Sequence, residues 1–520
     1  MGIFDKVLVQ IADNFPKFNK FLLIDYRRQQ MENCINFIDI IFQEAIKVIG
    51  QDIDYLGSRI LTPEERIMFE LNNNIVPSVV NIRRSELILV EYKFKYGTME
   101  FSTNLYLPYL YEDFVIINNT KYNLQFNITD KIFSCSNKTL TARVIRSPIR
   151  FRIQPYAINS IKTNKQYIFS LVLVDVHYQK KSKKNRKTIQ KTILHYLICR
   201  FGFEKALGIF NIKLSDIEFI AYTKDFLIDY EYFSIYPNNK KSIILKVKKS
   251  IMNNKIKRFV ILTILYILSD FRNIRIDEII NPDPIKWKTM LGQLIEGTSI
   301  TLAVALQKAS KHLDSLESYL DFISRKRYES FGLYNIESIY DLFIYVFLNI
   351  EKILYKFEPN NMFQKRLDTI EQILIDSIVS NIYNRIYKKK NIASIQREDT
   401  IRGIFNIKAR SIYSIYSGDN VRSNPSCYND NMLFNYYLKM NSPSSKQKSS
   451  SGQIKKKNKM SINKRDFHMS LALVESILSY SSNNPQKSNS INPFLSINDH
   501  GGFEIPDYYK YLKEYEKYLN

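Results

Sequence analysis

The sequence predicts an α+β protein of several domains. Three observations carry this. The chain has 520 residues, too many for one ordinary core, and its hydrophobic fraction of 45% is that of a globular protein. Residues 83–175 hold short runs rich in Val, Ile, Tyr, Phe and Thr, broken by Asn-rich turns, which is the pattern of antiparallel strands. Residues 31–50, and again the stretch from Trp287 to about Lys390, carry apolar residues at helical spacing.

The elements follow in order. Ile35, Ile38, Ile41, Phe42, Ala45, Ile46 and Ile49 share one helix face, and Gly50 stops the helix. Asp52-Ile53-Asp54 is expected in the turn after it. Leu87, Leu89 and Tyr92 open the strand-rich stretch, and Ile117-Asn118-Asn119-Thr120 reads as a hairpin turn. The apolar runs Phe169–Val176 and Ile193–Ile198 flank Lys180-Lys181-Ser182-Lys183-Lys184-Asn185-Arg186-Lys187, so a β-hairpin with a basic tip is expected. Phe259–Leu268 is the longest apolar stretch, well short of the roughly 20 residues that span a bilayer. It is expected to be a buried strand or a short core helix. Asp283, between Pro282 and Pro284, falls in a turn. Phe322, Ile323, Tyr340, Leu342, Tyr345, Leu348 and Ile353 continue the helical pattern, as does Leu367–Tyr387, which ends at Lys388-Lys389-Lys390. The Ser- and Lys-rich tract 441–464 cannot bury enough apolar surface to order itself and is expected to be a disordered loop. Met469–Tyr480 reads as a short helix, 481–502 as loop, and Tyr508–Leu519 as a docking helix.

The charge balance points to a polyanion. Lys and Arg number 75 against 51 Asp and Glu, a net +24. Part of this reflects composition. Glycine is scarce, with 14 residues, while Lys, Ile, Asn and Tyr abound, as an AT-rich genome would dictate. Catalytic signatures fail one by one. Cys34, Cys135, Cys199 and Cys427 form no CxxC pair, and no HExxH, GxSxG or DxDxD occurs. Gly292-Gln293-Leu294-Ile295-Glu296-Gly297-Thr298-Ser299 has the glycine spacing of a phosphate loop, but Thr298 stands where its lysine belongs and the flanks read helical. The N-terminus lacks the pattern of a signal peptide. Lys183, Lys184 and Arg186 are candidate nucleic-acid contacts on charge alone, and the basic tract 446–465 reads as an arm for any polyanion.

Three ordered blocks carry a resemblance. The first is Leu105-Tyr106-Leu107-Pro108 leading into Phe114-Val115-Ile116-Ile117-Asn118-Asn119-Thr120, with Arg146-Ser147-Pro148 further on. The second is Gln364-Lys365-Arg366-Leu367-Asp368, expected to open a long helix. The third runs from Glu475 through Asn484-Pro485 and Leu495-Ser496 to Gly501-Gly502-Phe503. Together they resemble the N-terminal part of the β subunit of multisubunit DNA-directed RNA polymerases, of the split-subunit type found in giant bacteriophages. The family's basic segment before Leu-Ser is replaced here by Ile491-Asn492-Pro493-Phe494, which puts a rifampicin-type pocket in doubt.

The resemblance implies a protrusion, lobe and fork architecture. The protrusion would take 1–155 and 395–480, the lobe 156–394, and the fork and its junction with the rest of β 481–520. The chain would wall one side of the DNA cleft and cover the RNA–DNA hybrid, as a subunit without a complete active site and without a cofactor of its own. Magnesium would sit on the partner β′-like subunit. Lys365, Arg366, Asn484, Ser496 and Gly501 would be the family-matched positions near nucleic acid. Partners would be the remaining β-like and β′-like subunits, double-stranded DNA, the RNA–DNA hybrid and a promoter-specificity subunit, with no membrane. The place of action would be the host cytoplasm, with packaging in the virion as the variant. Two rival readings are a basic structural virion protein that touches DNA and a promoter-specificity factor.

Overall fold

A computed structural model describes residues 24–49, 53–72, 87–108, 114–117, 120–124, 126–136, 138–142, 144, 148–176, 191–221, 226–235, 243–269, 275–297, 300–317, 319–320, 322–358 and 361–368. Beyond these it describes only residues 403, 421–423, 444–447, 469–470, 474, 489–490, 495, 497–498 and 501–504. The chain divides into two compact units. One is Ile132–Phe357; the other joins Met1–Lys131 with Glu358–Asn520.

The discontinuous unit begins with α1 (Ile24–Ile49). Cys34, Ile38, Ile41, Phe42 and Ala45 are all buried, and their spacing puts them on one helix face. That face packs on a sheet of β1 (Ile53–Ile60), β2 (Leu87–Tyr96) and β3 (Met99–Pro108), in that order. The Phe42 ring lies 5.1 Å from both Tyr92 and Phe94. Asp39 of α1 accepts hydrogen bonds from the Tyr55 and Ser58 hydroxyls of β1. Asp54 is therefore a strand residue paired with Lys95, not part of a turn. Between β1 and β2 stands α2 (Pro63–Asn72). Its start is a capping box: the Thr62 hydroxyl accepts from the Glu65 amide, and the Glu65 carboxylate accepts from the Thr62 amide. β4 (Phe114–Ile117) and β5 (Thr120–Leu124) pair with Ile117 opposite Thr120, the hairpin that Asn118-Asn119 predicts, and β6 (Phe126–Asp130) follows.

The continuous unit opens with β7 (Phe133–Ser136), β8 (Thr139–Ala142), β9 (Ile149–Asn159) and β10 (Gln166–Asp175), an antiparallel sheet in the order β10-β9-β8-β7. The run Phe169–Val176 thus pairs backward with β9. Its expected partner, Ile193–Ile198, is instead helical, in α3 (Ile193–Phe201). The Thr192 hydroxyl caps α3 by accepting from the His195 amide, and Gly202 ends it at φ 85°. Every residue from Ile193 to Cys199 is buried, and a run apolar on all sides has no period to separate strand from helix. Then come α4 (Phe203–Gly208) and a second sheet of β11 (Ile217–Ile220), β12 (Tyr230–Ser234) and β13 (Ile244–Lys248), ordered β11-β13-β12. Six helices follow: α5 (Lys249–Asn253), α6 (Lys255–Ser269), α7 (Ile276–Ile280), α8 (Ile285–Glu296), α9 (Leu302–Glu317) and α10 (Phe322–Ser330). They are followed by α11 (Ile339–Lys356), which starts on a Ser338–Asp341 capping box. Phe259–Leu268 is the helical alternative, the inside of α6. Trp287 is fully buried, its indole N–H donates to the Ile279 carbonyl at 3.0 Å, and Phe203 stacks on it.

The phosphate-loop spacing has a packing cause. Gly292 lies inside α8, where a Cβ would come 1.9 Å from the Ala305 carbonyl oxygen of α9, and Gly297 caps α8 at φ 112°. One glycine lets two helices touch and the other ends a helix.

The chain then returns to the first unit. β14 (Lys365–Asp368) follows a 3₁₀ turn at Met362–Gln364 and pairs antiparallel with β6. This corrects the expectation that Gln364–Asp368 opens a helix: the register is set by a distant partner, not by local period. β15 (Val421–Ser423) joins β5, giving the order β15-β5-β4. β16 (Ser444–Gln447) runs parallel to β6 and pairs with β17 (Asn489–Ser490), giving β14-β6-β16-β17. So the expected disordered loop 441–464 contains a strand at its start, because an open sheet edge supplies the hydrogen bonds its own composition cannot. The continuous unit begins at Ile132 and ends at Phe357, earlier at both ends than the expected lobe at 156–394. Ser470 and Val474 are helical, within the expected Met469–Tyr480 helix. Residues 369–402 and 505–520 lie outside the described residues. Among the described residues no helix is long and apolar enough to cross a membrane.

Candidate nucleic-acid interface

The second and third sequence blocks meet in the discontinuous unit. Arg366 of β14 bridges to Gly502, the Leu367 amide donates to the Gly501 carbonyl at 2.7 Å, and the Phe503 amide donates to the Lys365 carbonyl at 3.5 Å. The third block therefore adds itself to the free side of β14, whose other side pairs with β6 just after the first block. A tight turn permits this. The Gly501 amide donates to the Asn498 carbonyl, the Asn498 amide to the Gly502 carbonyl, and the Gly502 amide to Asn498 Oδ1 at 2.8 Å. Gly501 sits at φ 80°, and a Cβ there would lie 2.1 Å from the Leu367 carbonyl oxygen. Both its backbone conformation and its close approach require glycine. Leu367, Leu495, Ile497 and Phe503 are buried beneath the junction. The Ser470 hydroxyl accepts from the Met362 amide at 2.8 Å and ties the later segment to the start of β14.

The two cations of β14 point inward. Lys365, opposite Asp130 across β14 and β6, forms an ion pair with it, and the two side chains are only 6% and 14% exposed. Arg366 is fully buried. Lys131 donates to the Phe503 carbonyl at 3.5 Å. Burial pushes its ammonium below the usual lysine range, and the Glu504 carboxylate partly offsets this. Burying cations costs several kcal/mol unless partners compensate, so the Lys365–Asp130 pair is a structural commitment of both strands.

Of the eight residues expected near nucleic acid, the structure brings together Lys365, Arg366 and Gly501. Lys365 and Arg366 are enclosed in the unit rather than displayed, and Gly501 holds a turn. Lys183, Lys184, Arg186, Asn484 and Ser496 lie outside the described residues. Sequence reasoning missed Asp130, Lys131 and Asn498. A Lys365–Asp130 pair across such a separation leaves no local signal. Asn498 had one, an Asn three residues before a glycine in a short turn. Among the described residues no group of three His, Cys, Asp or Glu side chains is placed to hold a metal ion.

The junction thus offers a backbone scaffold with Lys365 and Arg366 inside, and one family model matches nearly all of the chain. The family model described as non-virion RNA polymerase subunit matches residues 3–517. The chain belongs to that family. No curated protein matches it. As a subunit of an RNA polymerase, it works with other polymerase subunits as partners. Its function is transcription, as a component of an RNA polymerase.

Proposed function

We propose that this polymerase subunit is the N-terminal, β-like part of the enzyme, with protrusion-, lobe- and fork-like regions that wall one side of the DNA cleft and cover the RNA–DNA hybrid. What carries the reading is the chain path. One compact unit, Ile132–Phe357, is inserted into another built from both flanking segments, as a lobe is inserted into a protrusion. The blocks that resemble the β family at Lys365–Asp368 and Gly501–Phe503 then lie side by side, next to the strand that follows the first block. In this proposal Lys365, Arg366 and Gly501 build the junction that carries the fork. Direct phosphate contact falls to Lys183, Lys184 and Arg186 and to the 446–465 tract, through counterion release. Asn484 and Ser496 would lie on the fork loop. The chain holds no catalytic residue of its own; magnesium sits on the β′-like partner, and the enzyme acts in the host cytoplasm. The family's description lends no support to the rival reading as a structural virion protein.

Purification of the assembled enzyme through a tag on this chain tests the reading. The expected result is stoichiometric recovery of chains that carry the rest of β and the β′ aspartates, with no RNA made by this chain alone. Recovery of a different chain that spans all of β would show this one to be a promoter-specificity subunit. RNA synthesis by the pure chain would overturn the non-catalytic role.

A further inference from the structure

The helix α2 lies on its sheet with its polar side inward. Arg66 Nε donates to Glu70 Oε1 at 2.9 Å, Glu70 Oε1 also accepts from the Tyr106 hydroxyl at 3.1 Å, and the Arg66 guanidinium stands 5.7 Å from the Tyr106 ring centre. Tyr106 belongs to β3 and is 4% exposed, so positions 66 and 70 face the sheet. Ile67, Met68 and Leu71 take the other side and are 56%, 59% and 50% exposed. No residue of α2 is buried. A surface helix ordinarily turns its apolar stripe to the core, and an exposed apolar cluster marks an interaction site.

Two observations narrow the occupant. The neighbouring strand β1 forms the edge of its sheet, but the register shift at Gly57, φ 114°, breaks it. Bulges of this kind blunt an edge against strand addition, so docking must use the side chains of α2. The rim is acidic. Glu65 is paired with Arg59 and Glu70 with Arg66, which leaves the exposed Glu64 as the charge beside the apolar cluster, on a chain of net charge +24. A nucleic acid would be repelled here, whereas a protein surface with an apolar centre and a Lys or Arg border would be complementary.

We propose that Ile67, Met68 and Leu71 of α2 form the docking surface for another subunit of the polymerase, one that presents an apolar patch bordered by lysine or arginine. The inference rests on membership of the polymerase subunit family and not on the β-like reading, so either can fail without the other.

The test uses the enzyme assembled by co-expression of its subunits. A photo-crosslinking amino acid replacing Met68 is expected to trap another polymerase subunit. The double variant Met68→Glu, Leu71→Glu is expected to lower recovery of that subunit about tenfold or more, as truncation of a central interface residue does. Both positions are exposed, so the variant chain should keep its own melting temperature. A crosslink confined to this chain, to a second copy of it or to nucleic acid would overturn the proposal. So would undiminished recovery of the crosslinked subunit with the double variant.

Discussion

Gly501 shows how a residue flagged by a motif can hold a different job from the one expected. The resemblance places it near nucleic acid, but its φ of 80° and the Leu367 oxygen 2.1 Å from a would-be Cβ make it the pivot of a turn. Its own carbonyl accepts from the Leu367 amide, so strand β14 cannot retreat without losing that bond. Gly501→Ala should cost about 3 kcal/mol, from backbone strain plus forced displacement. Gly97 is the control, with φ 59° and nothing within 4 Å of a Cβ. Gly97→Ala should cost about 1 kcal/mol, the strain alone. Urea denaturation midpoints of the two variants check this; equal losses would mean that the close approach carries no energy. The inward placement of Lys365 and Arg366 has the same lesson. A basic residue is readable in sequence, but whether its charge faces solvent depends on the strand that pairs with it, here β6 through Asp130.

Elements were legible where periodicity had one clear answer. The face of α1 and the β4–β5 hairpin follow from spacing and turn residues. The runs in α3 and α6 were ambiguous because burial on all sides erases the period, and Lys365–Asp368 became a strand through a partner far away in sequence. The same total burial gives α3 a pH dependence. His195 Nε2–H donates to the Trp287 carbonyl of α8 at 3.0 Å, and the ring is enclosed. Burial, helped by the charge of Lys191 and opposed by the Trp287 bond, pushes its pKa down from 6.5 to about 4. The unfolded chain therefore takes up a proton that the folded chain refuses. Stability from this group is complete above pH 6.5, falls as pH drops toward 4, and levels off below; the full loss is about 3 kcal/mol. His195→Gln keeps a neutral donor and removes the titration. Denaturation midpoints measured from pH 7 to pH 4 should fall less steeply for the variant, and parallel curves would show that His195 does not titrate in this range.

At the scale of the whole molecule, long-range pairing decided what sequence could not. The sheets of the discontinuous unit join early strands to late ones, β5 to β15 and β6 to β14 and β16, and nothing in the local pattern of either partner names the other. Net charge, by contrast, was legible at once, and its role can be apportioned. The +24 balance includes cations held in ion pairs, such as Lys365 with Asp130 and Lys248 with Asp216, whose charge is already balanced by a carboxylate rather than offered to a phosphate. The Lys- and Ser-rich tract carries eight further basic residues over 446–465, and its start at Ser444–Gln447 is anchored to β6. Deleting 448–465 removes Lys448, Lys455, Lys456, Lys457, Lys459, Lys464 and Arg465 but leaves that strand in place. If these side chains meet phosphates, DNA binding by the assembled enzyme should weaken at low salt. The plot of log affinity against log salt should become shallower by about 0.9 for each phosphate no longer neutralised. Folding should be unaffected, because the deleted residues follow the anchored strand. An unchanged slope would place the tract away from DNA and leave phosphate neutralisation to cations elsewhere, Lys183, Lys184 and Arg186 first among them.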